Sequence, residues 1–111
     1  MATEKRQIQI AESIREKAGT FFSSQPPANT LTTVTKVEMS PDLNYADIYI
    51  SILPSAKSDI AMEKALEALP GLRRKIGKEL TLRYVPKLRI YYDDQAESKA
   101  RVEEVLDQDR T

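Results

Sequence analysis

The chain has 111 residues, of which 41% are hydrophobic and 31% are charged, and it contains neither cysteine nor histidine. This length is enough for one domain with one modest core. Without cysteine, disulfides and thiolate metal sites are excluded, and without histidine the commonest general base and metal ligand are missing. The sequence contains no run of about 18 apolar residues, the length that a membrane-spanning helix needs. The N-terminal residues do not show the pattern of a signal peptide, so we expect a cytoplasmic protein.

The formal net charge is zero, but the charges are distributed unevenly along the chain. Residues 73–89 hold seven basic side chains and one acid, a local charge of +6, whereas residues 90–111 hold three basic and seven acidic side chains, a local charge of −4. Such asymmetry predicts a dipolar surface with one face suited to phosphate groups. The alternative interpretation is a charged helix face that is merely solvated.

The first half of the chain predicts a helix followed by a β-hairpin. Apolar residues at three- and four-residue steps favour a helix over residues 4–22. β-Branched residues favour a strand over residues 31–39, and a turn rich in proline, aspartate and asparagine follows. Strict alternation then predicts a second strand, with one face buried under helices: Ala46, Ile48, Ile50 and Ile52.

Residues 60–92 predict two helical segments and a third strand. Pro70 lacks an N–H group, so we expect the first segment to end near Leu69 and a second to begin at once. The break comprises Ala68, Leu69, Pro70 and Gly71. It either brings a helix N-terminus against a phosphate or is an ordinary turn between helices. Alternation then predicts a strand over residues 87–92.

The resulting order, helix, strand, strand, helix, helix, strand, indicates an α+β sandwich of a three-stranded sheet with helices on one face. A helical crossover makes the third strand parallel to the second. Residues 95–107 predict a short, loosely docked C-terminal helix or a frayed tail. We therefore expect a single domain over residues 1–111, with its core at about residues 4–93 and a weakly docked segment at residues 94–111.

The candidate phosphate-binding side chains are Arg73, Arg74, Lys75, Lys78, Arg83, Lys87 and Arg89. Five tyrosines either provide stacking platforms for bases or cover a face of the sheet: Tyr45, Tyr49, Tyr84, Tyr91 and Tyr92. The acidic C-terminal segment lacks the spacing of a calcium loop, and no nucleotide-binding glycine motif or activated serine is present. We expect no enzymatic activity, no cofactor, no metal and no small-molecule substrate.

Two stretches resemble the ribosome-binding factor A family. Residues 33–51 (TVTKVEMSPDLNYADIYIS) are similar to that family's hairpin, and residues 77–93 (GKELTLRYVPKLRIYYD) to its second signature. The resemblance covers about residues 4–107, and the two motifs occur in the family's order and spacing. It implies a type II KH fold, with an Ala-x-Gly kink in place of the usual KH loop. Here Pro70 stands at the glycine of that kink, and Gly71 follows one position late.

The resemblance also implies a function. Members of the family bind the small (30S) ribosomal subunit and its 16S rRNA during late maturation, without catalysis. They are associated with processing of the 5′ end of the 16S precursor and with growth in the cold. We expect a monomer that contacts rRNA through the basic residues named above. The competing interpretation is a protein-interaction or dimerisation module that pairs an exposed sheet edge with a partner strand.

Overall fold

The computed structural model describes residues 4–25, 29–94 and 99–102. In chain order the elements are α1 (Glu4–Ser23), β1 (Leu31–Met39), β2 (Tyr45–Leu53), a short 3₁₀ helix (Ser55–Lys57), α2 (Ser58–Glu79), β3 (Lys87–Asp94) and β4 (Lys99–Val102). The predicted α+β class is confirmed, as is the order of helices and strands as far as β3, with the two predicted helical segments before β3 joined into the single helix α2.

The sheet has the order β1-β2-β3-β4. β1 and β2 form the predicted antiparallel hairpin, and β3 lies parallel to β2, also as predicted. The register of β1 shifts between Val34 and Lys36, as in a β-bulge. This shift keeps Val34 and Val37 on the buried face, whereas Lys36 and Glu38 lie opposite polar positions of β2.

One apolar cluster joins the two helices to one face of the sheet. In α1 the buried residues recur every four positions, which places them on one side of a helix: Ile10, Ile14, Ala18 and Phe22. In β2 the alternating residues that were predicted to be buried are at most 2% exposed. The opposite face of the sheet carries no helix among the described elements, and its side chains are half-buried or exposed.

The predicted helix over residues 95–107 is wrong where the structure describes it. Residues 99–102 form β4, which pairs antiparallel with the end of β3 and makes the sheet four-stranded. The weak apolar face of this segment offers little for a helix to bury, whereas the edge of β3 offers unpaired backbone N–H and C=O groups. Residues 95–98 and 103–111 lie outside the described part of the chain.

The predicted break at Ala68 to Gly71 is also wrong, because α2 is one continuous helix with Pro70 in its interior. An interior proline costs about 3 kcal/mol. Leu69, Leu72 and Ile76, however, are all fully buried on the two sides of Pro70. Each buried large apolar side chain contributes about 1.5–3 kcal/mol, so continuous packing against the sheet outweighs the cost of the proline.

The continuous helix predicts a gain of stability when Gly71 is replaced by alanine. A Cβ atom at this position would lie 3.5 Å from the Phe21 ring, an ordinary contact. Gly71→Ala is expected to raise the free energy of unfolding by about 0.5–1 kcal/mol, because alanine loses less backbone entropy in a helix. Urea denaturation of the full chain measures this change.

Gly19→Ala in α1 is the matched control, since a Cβ atom there meets nothing within 4 Å. The change in unfolding free energy of Gly19→Ala therefore reflects only the difference in helix propensity between glycine and alanine. A loss of stability confined to Gly71→Ala would contradict regular helix geometry at this position.

Candidate nucleic-acid interface

The outer face of α2 carries two exposed cations near its C-terminal end. Arg74 and Lys78 are four residues apart, so they lie on the same side of the helix. Neither side chain makes a hydrogen bond or ion pair with another residue in the described part of the chain. Their charges are therefore directed to solvent and remain available to an anionic partner.

Lys75 is held in an ion-pair cluster with the neighbouring helix. Its Nζ lies 3.3 Å from Glu79, whose carboxylate also lies 3.0 Å from Nζ of Lys17 in α1. Hydrogen bonds from Lys17 and then Lys75 lower the pKa of Glu79. The cluster retains one net positive charge, so Lys75 is less available to a phosphate than Arg74 and Lys78 are.

Arg73 closes the connection between α2 and β3. Its guanidinium donates from Nε to the Pro86 carbonyl (3.0 Å) and from a terminal nitrogen to the Val85 carbonyl (2.9 Å). Two donors of one planar group thus bind two successive carbonyls, a geometry that lysine cannot reproduce. The sequence predicted Arg73 as a phosphate ligand, whereas the structure gives it a structural contact.

Arg89 and Lys87 lie on the open face of the sheet, opposite the face that packs against the helices. Arg89 donates to Asp47 on β2 from two nitrogens, at 2.6 and 3.2 Å, and its guanidinium lies 4.2 Å from the centre of the Tyr45 ring. The hydrogen bond with Asp47 raises the pKa of Arg89. Lys87 is half-buried and also has intramolecular contacts. The open face therefore holds its arginine in an internal pair.

The tyrosines of the open face are likewise engaged with one another and with charged neighbours. Tyr49 and Tyr91 stack with their ring centres 4.8 Å apart, and Lys36 lies 4.6 Å above the Tyr49 ring. The Tyr49 hydroxyl donates to Glu38 at 3.3 Å. Burial, followed by repulsion from Glu38 and Asp47, raises the pKa of Tyr49 to about 12. These rings cover the open face of the sheet, which was the second of the two interpretations of the tyrosines drawn from the sequence.

Arg83 and Tyr84 project from the connection between α2 and β3. Both are exposed, and the Arg83 guanidinium lies 5.6 Å from the centre of the Tyr84 ring. The connection lies beside the turn between β1 and β2, because the backbone N–H of Lys87 donates to the Asn44 carbonyl at 2.9 Å. This end of the molecule thus combines an exposed arginine with an exposed aromatic ring.

The neighbouring turn, Ser40 to Asn44, is organised around the carboxylate of Asp42. Asp42 accepts hydrogen bonds from the Ser40 hydroxyl (2.7 Å), the Asn44 backbone N–H (3.0 Å) and the Asn44 side-chain amide (3.0 Å). These bonds, the backbone one foremost, lower the pKa of Asp42. They also stabilise the left-handed backbone of Leu43, whose φ is 64°.

The candidate kink does not present a helix N-terminus to a ligand. Leu69 is fully buried, and Gly71 lies in the middle of α2, where an added Cβ atom would meet the Phe21 ring of α1. The free N–H groups that the sequence interpretation required are absent from an unbroken helix. The anion site predicted for Ala68, Leu69, Pro70 and Gly71 is therefore not formed.

Within the described residues, neither helix has the length and apolarity that a membrane crossing needs. The same residues include no cluster of three or more acidic side chains that could hold a metal ion. The structure thus defines a two-layer α+β domain. It exposes basic side chains on the outer face of its second helix and on the connection that follows this helix.

Comparison with known proteins identifies the family. The model of the family described as Ribosome-binding factor A matches residues 6–106. The ribosome-binding factor A of Thermomicrobium roseum is 35% identical over 114 residues, covering 95% of this chain and 86% of the relative. That of Pelagibacter ubique is 31% identical over 109 residues, covering 94% and 89%. The chain belongs to the ribosome-binding factor A family.

Two solved structures share the fold. The solution NMR structure of a putative ribosome binding factor A from Thermotoga maritima has a TM-score of 0.64 at 27% identity and covers 82% of this chain and 90% of that one. The crystal structure of ribosome-binding factor A from Thermus thermophilus has a TM-score of 0.67 at 16% identity, covering 76% and 92%. At that identity the second likeness shows the fold alone.

The contacts of Arg73 predict that this residue contributes more to stability than its neighbour Arg74 does. Arg73→Ala leaves two carbonyls without their charged donor and is expected to lower the free energy of unfolding by about 1–3 kcal/mol. Arg74→Ala is the matched control and should change it by less than about 0.5 kcal/mol, because its side chain is exposed. Equal values for the two variants in urea denaturation would contradict the role given to Arg73.

The lowered pKa of Asp42 predicts that its carboxylate contributes to the free energy of unfolding in a pH-dependent way. Because folding lowers its pKa, the contribution is present above its unfolded pKa, near 4, and is lost as the pH falls through the folded value. The difference in unfolding free energy between the wild type and Asp42→Ala should therefore be largest near neutral pH and shrink below about pH 4. A difference that stays constant across this range would show that the carboxylate is not the stabilising group.

Proposed function

We propose that this chain binds the small (30S) ribosomal subunit during late maturation, contacts 16S rRNA and aids processing of the 5′ end of its precursor. Membership of the ribosome-binding factor A family supports the ribosomal partner. The observation that carries the proposed rRNA contact is the exposed pair of Arg74 and Lys78 on α2, followed by Arg83. The protein acts without catalysis or cofactor, as a cytoplasmic monomer and as a single domain.

Phosphate recognition suits this surface physically. Arginine presents a planar fork of donors to phosphate oxygens, and lysine adds a mobile point charge. Binding through such contacts releases counterions from RNA, so its affinity falls as salt rises. The net charge of zero does not oppose this function, because the local field around α2 and not the total charge guides the encounter.

The seven predicted cations divide into three groups by availability. Arg74, Lys78 and Arg83 are exposed and have no ion pair within the described residues, and they carry most of the affinity. Lys75 and Lys87 contribute less, because each already has intramolecular contacts. Arg73 and Arg89 mainly hold the structure, through carbonyls and through Asp47 respectively.

The structure favours the alternative function, pairing through a sheet edge, less well. β1 is an edge strand, but its register shift and its exposed ion pair between Lys36 and Glu38 (3.4 Å) are features that discourage pairing with another chain. Salt-resistant self-association in light scattering would support this alternative, whereas salt-sensitive co-sedimentation with small subunits supports rRNA binding.

The proposal predicts that Arg74→Ala combined with Lys78→Ala weakens binding to purified small subunits. If each side chain neutralises one phosphate, the slope of log affinity against log salt should flatten by about 1.4–1.8. Co-sedimentation at several salt concentrations measures both the affinity and the slope. The fold should be retained, because both positions are exposed.

The matched control replaces two lysines near the N-terminal end of α2, Lys57 just before the helix and Lys64 within it. The net charge of the chain then changes by the same amount as in the test variant. Both lysines are exposed. Their replacement by alanine should leave the slope almost unchanged. If the two double variants have the same effect, the binding depends on total charge and the assignment to this face of α2 is wrong.

A further inference from the structure

Tyr84 differs from every other tyrosine of the chain. It is 75% exposed, whereas Tyr45, Tyr49, Tyr91 and Tyr92 are half-buried or buried in the sheet. A ring so exposed contributes little to the core, so packing does not account for an aromatic residue at this position. Its position in the connection before β3 fixes it beside the turn at Asn44.

Two adjoining clefts share Tyr84 as a wall. The larger, about 470 Å³, also has Arg6 of α1 and Arg83 in its lining. The smaller, about 300 Å³, has Arg73 and Lys87 in its lining. The ring therefore lines both clefts, and both fall within or close to the size range of small-ligand sites.

The remaining lining of the larger cleft suits a base rather than a bare anion. Its apolar part is formed by Ile10, Met39, Leu43, Leu82 and Pro86. Asp42 is the one acid among the described residues of the lining, and its carboxylate accepts three hydrogen bonds from its own turn. An apolar floor, an exposed ring and a cationic rim are the features of sites that bind single-stranded nucleic acid.

We propose that Tyr84 stacks on one unpaired nucleotide of single-stranded RNA, whose flanking phosphate is bound by Arg83 at the edge of the larger cleft. The proposal rests on the proposed function and extends it, since it adds recognition of a base to the phosphate contacts of α2. Duplex RNA cannot use this site without unpairing, because the bases of a duplex are stacked on one another. The site therefore directs the protein to a bulge, a loop or a free end.

The first test compares Tyr84→Ala with Tyr84→Phe in binding to small ribosomal subunits. Loss of one base–aromatic stack is expected to weaken binding by about 5- to 150-fold. Tyr84→Phe retains the ring and should bind within about threefold of the wild type. If the wild type binds and Tyr84→Ala binds equally well, the proposal is overturned.

The second test uses fluorescence, because the chain contains no tryptophan. Tyr84→Trp places a single indole in the proposed site, and stacking on a base should quench its emission. Titration with a short single-stranded RNA is expected to quench strongly, whereas the same sequence in a duplex should quench several-fold less. Ser55→Trp is the control, since Ser55 is exposed and lies beyond the opposite end of β2.

The outcomes separate this proposal from the function on which it rests. If the wild type fails to bind subunits but Tyr84→Trp is quenched by single-stranded RNA alone, the ribosomal function fails and the nucleotide site stands. Equal quenching of the Tyr84 and Ser55 reporters overturns the site. Weakened subunit binding by Tyr84→Ala without any quenching by RNA also overturns it, since Tyr84 would then contact a ribosomal protein.

Discussion

The structure depends on the closure of the connection between α2 and β3. Arg73 donates to the carbonyls of Val85 and Pro86, and the first backbone N–H of β3 donates to the Asn44 carbonyl. Together these bonds start β3 beside β2 in parallel register. They satisfy backbone groups that a loop would otherwise leave unpaired near the core. The same closure leaves Tyr84 outside, at the edge of two clefts.

The basic side chains divide into two groups, those that are paired within the protein and those that are exposed to solvent. On the open sheet face, Arg89 is paired with Asp47, so that face is close to internally neutral. On α2, Arg74 and Lys78 have no such partner within the described part of the chain. The local excess of basic residues in the sequence therefore overstates the number available to an anionic partner. The field that an approaching phosphate encounters is concentrated on α2 and the connection after it.

The sequence predicted what local periodicity determines and missed what tertiary contacts determine. Alternation in residues 45–52 reports directly which face of the strand is buried, so that prediction was correct. The prediction that Pro70 ends a helix was wrong, because α2 packs against residues that are distant in sequence and this packing outweighs the cost of the proline. Strand β4 was missed because its pairing with β3 outweighs a weak helical tendency. The carbonyl contacts of Arg73 span 12 and 13 residues, and no local pattern announces them.

Chemical footprinting of lysines tests most directly whether the outer face of α2 contacts the subunit. The full chain is acetylated by a small reagent, free and bound to small subunits, and the modified lysines are quantified by mass spectrometry. Lys78 on α2 and Lys36 on the open sheet face are both exposed in the free protein. The account predicts that bound subunits protect Lys78 strongly and leave Lys36 reactive. Protection of Lys36 with Lys78 unchanged would contradict it.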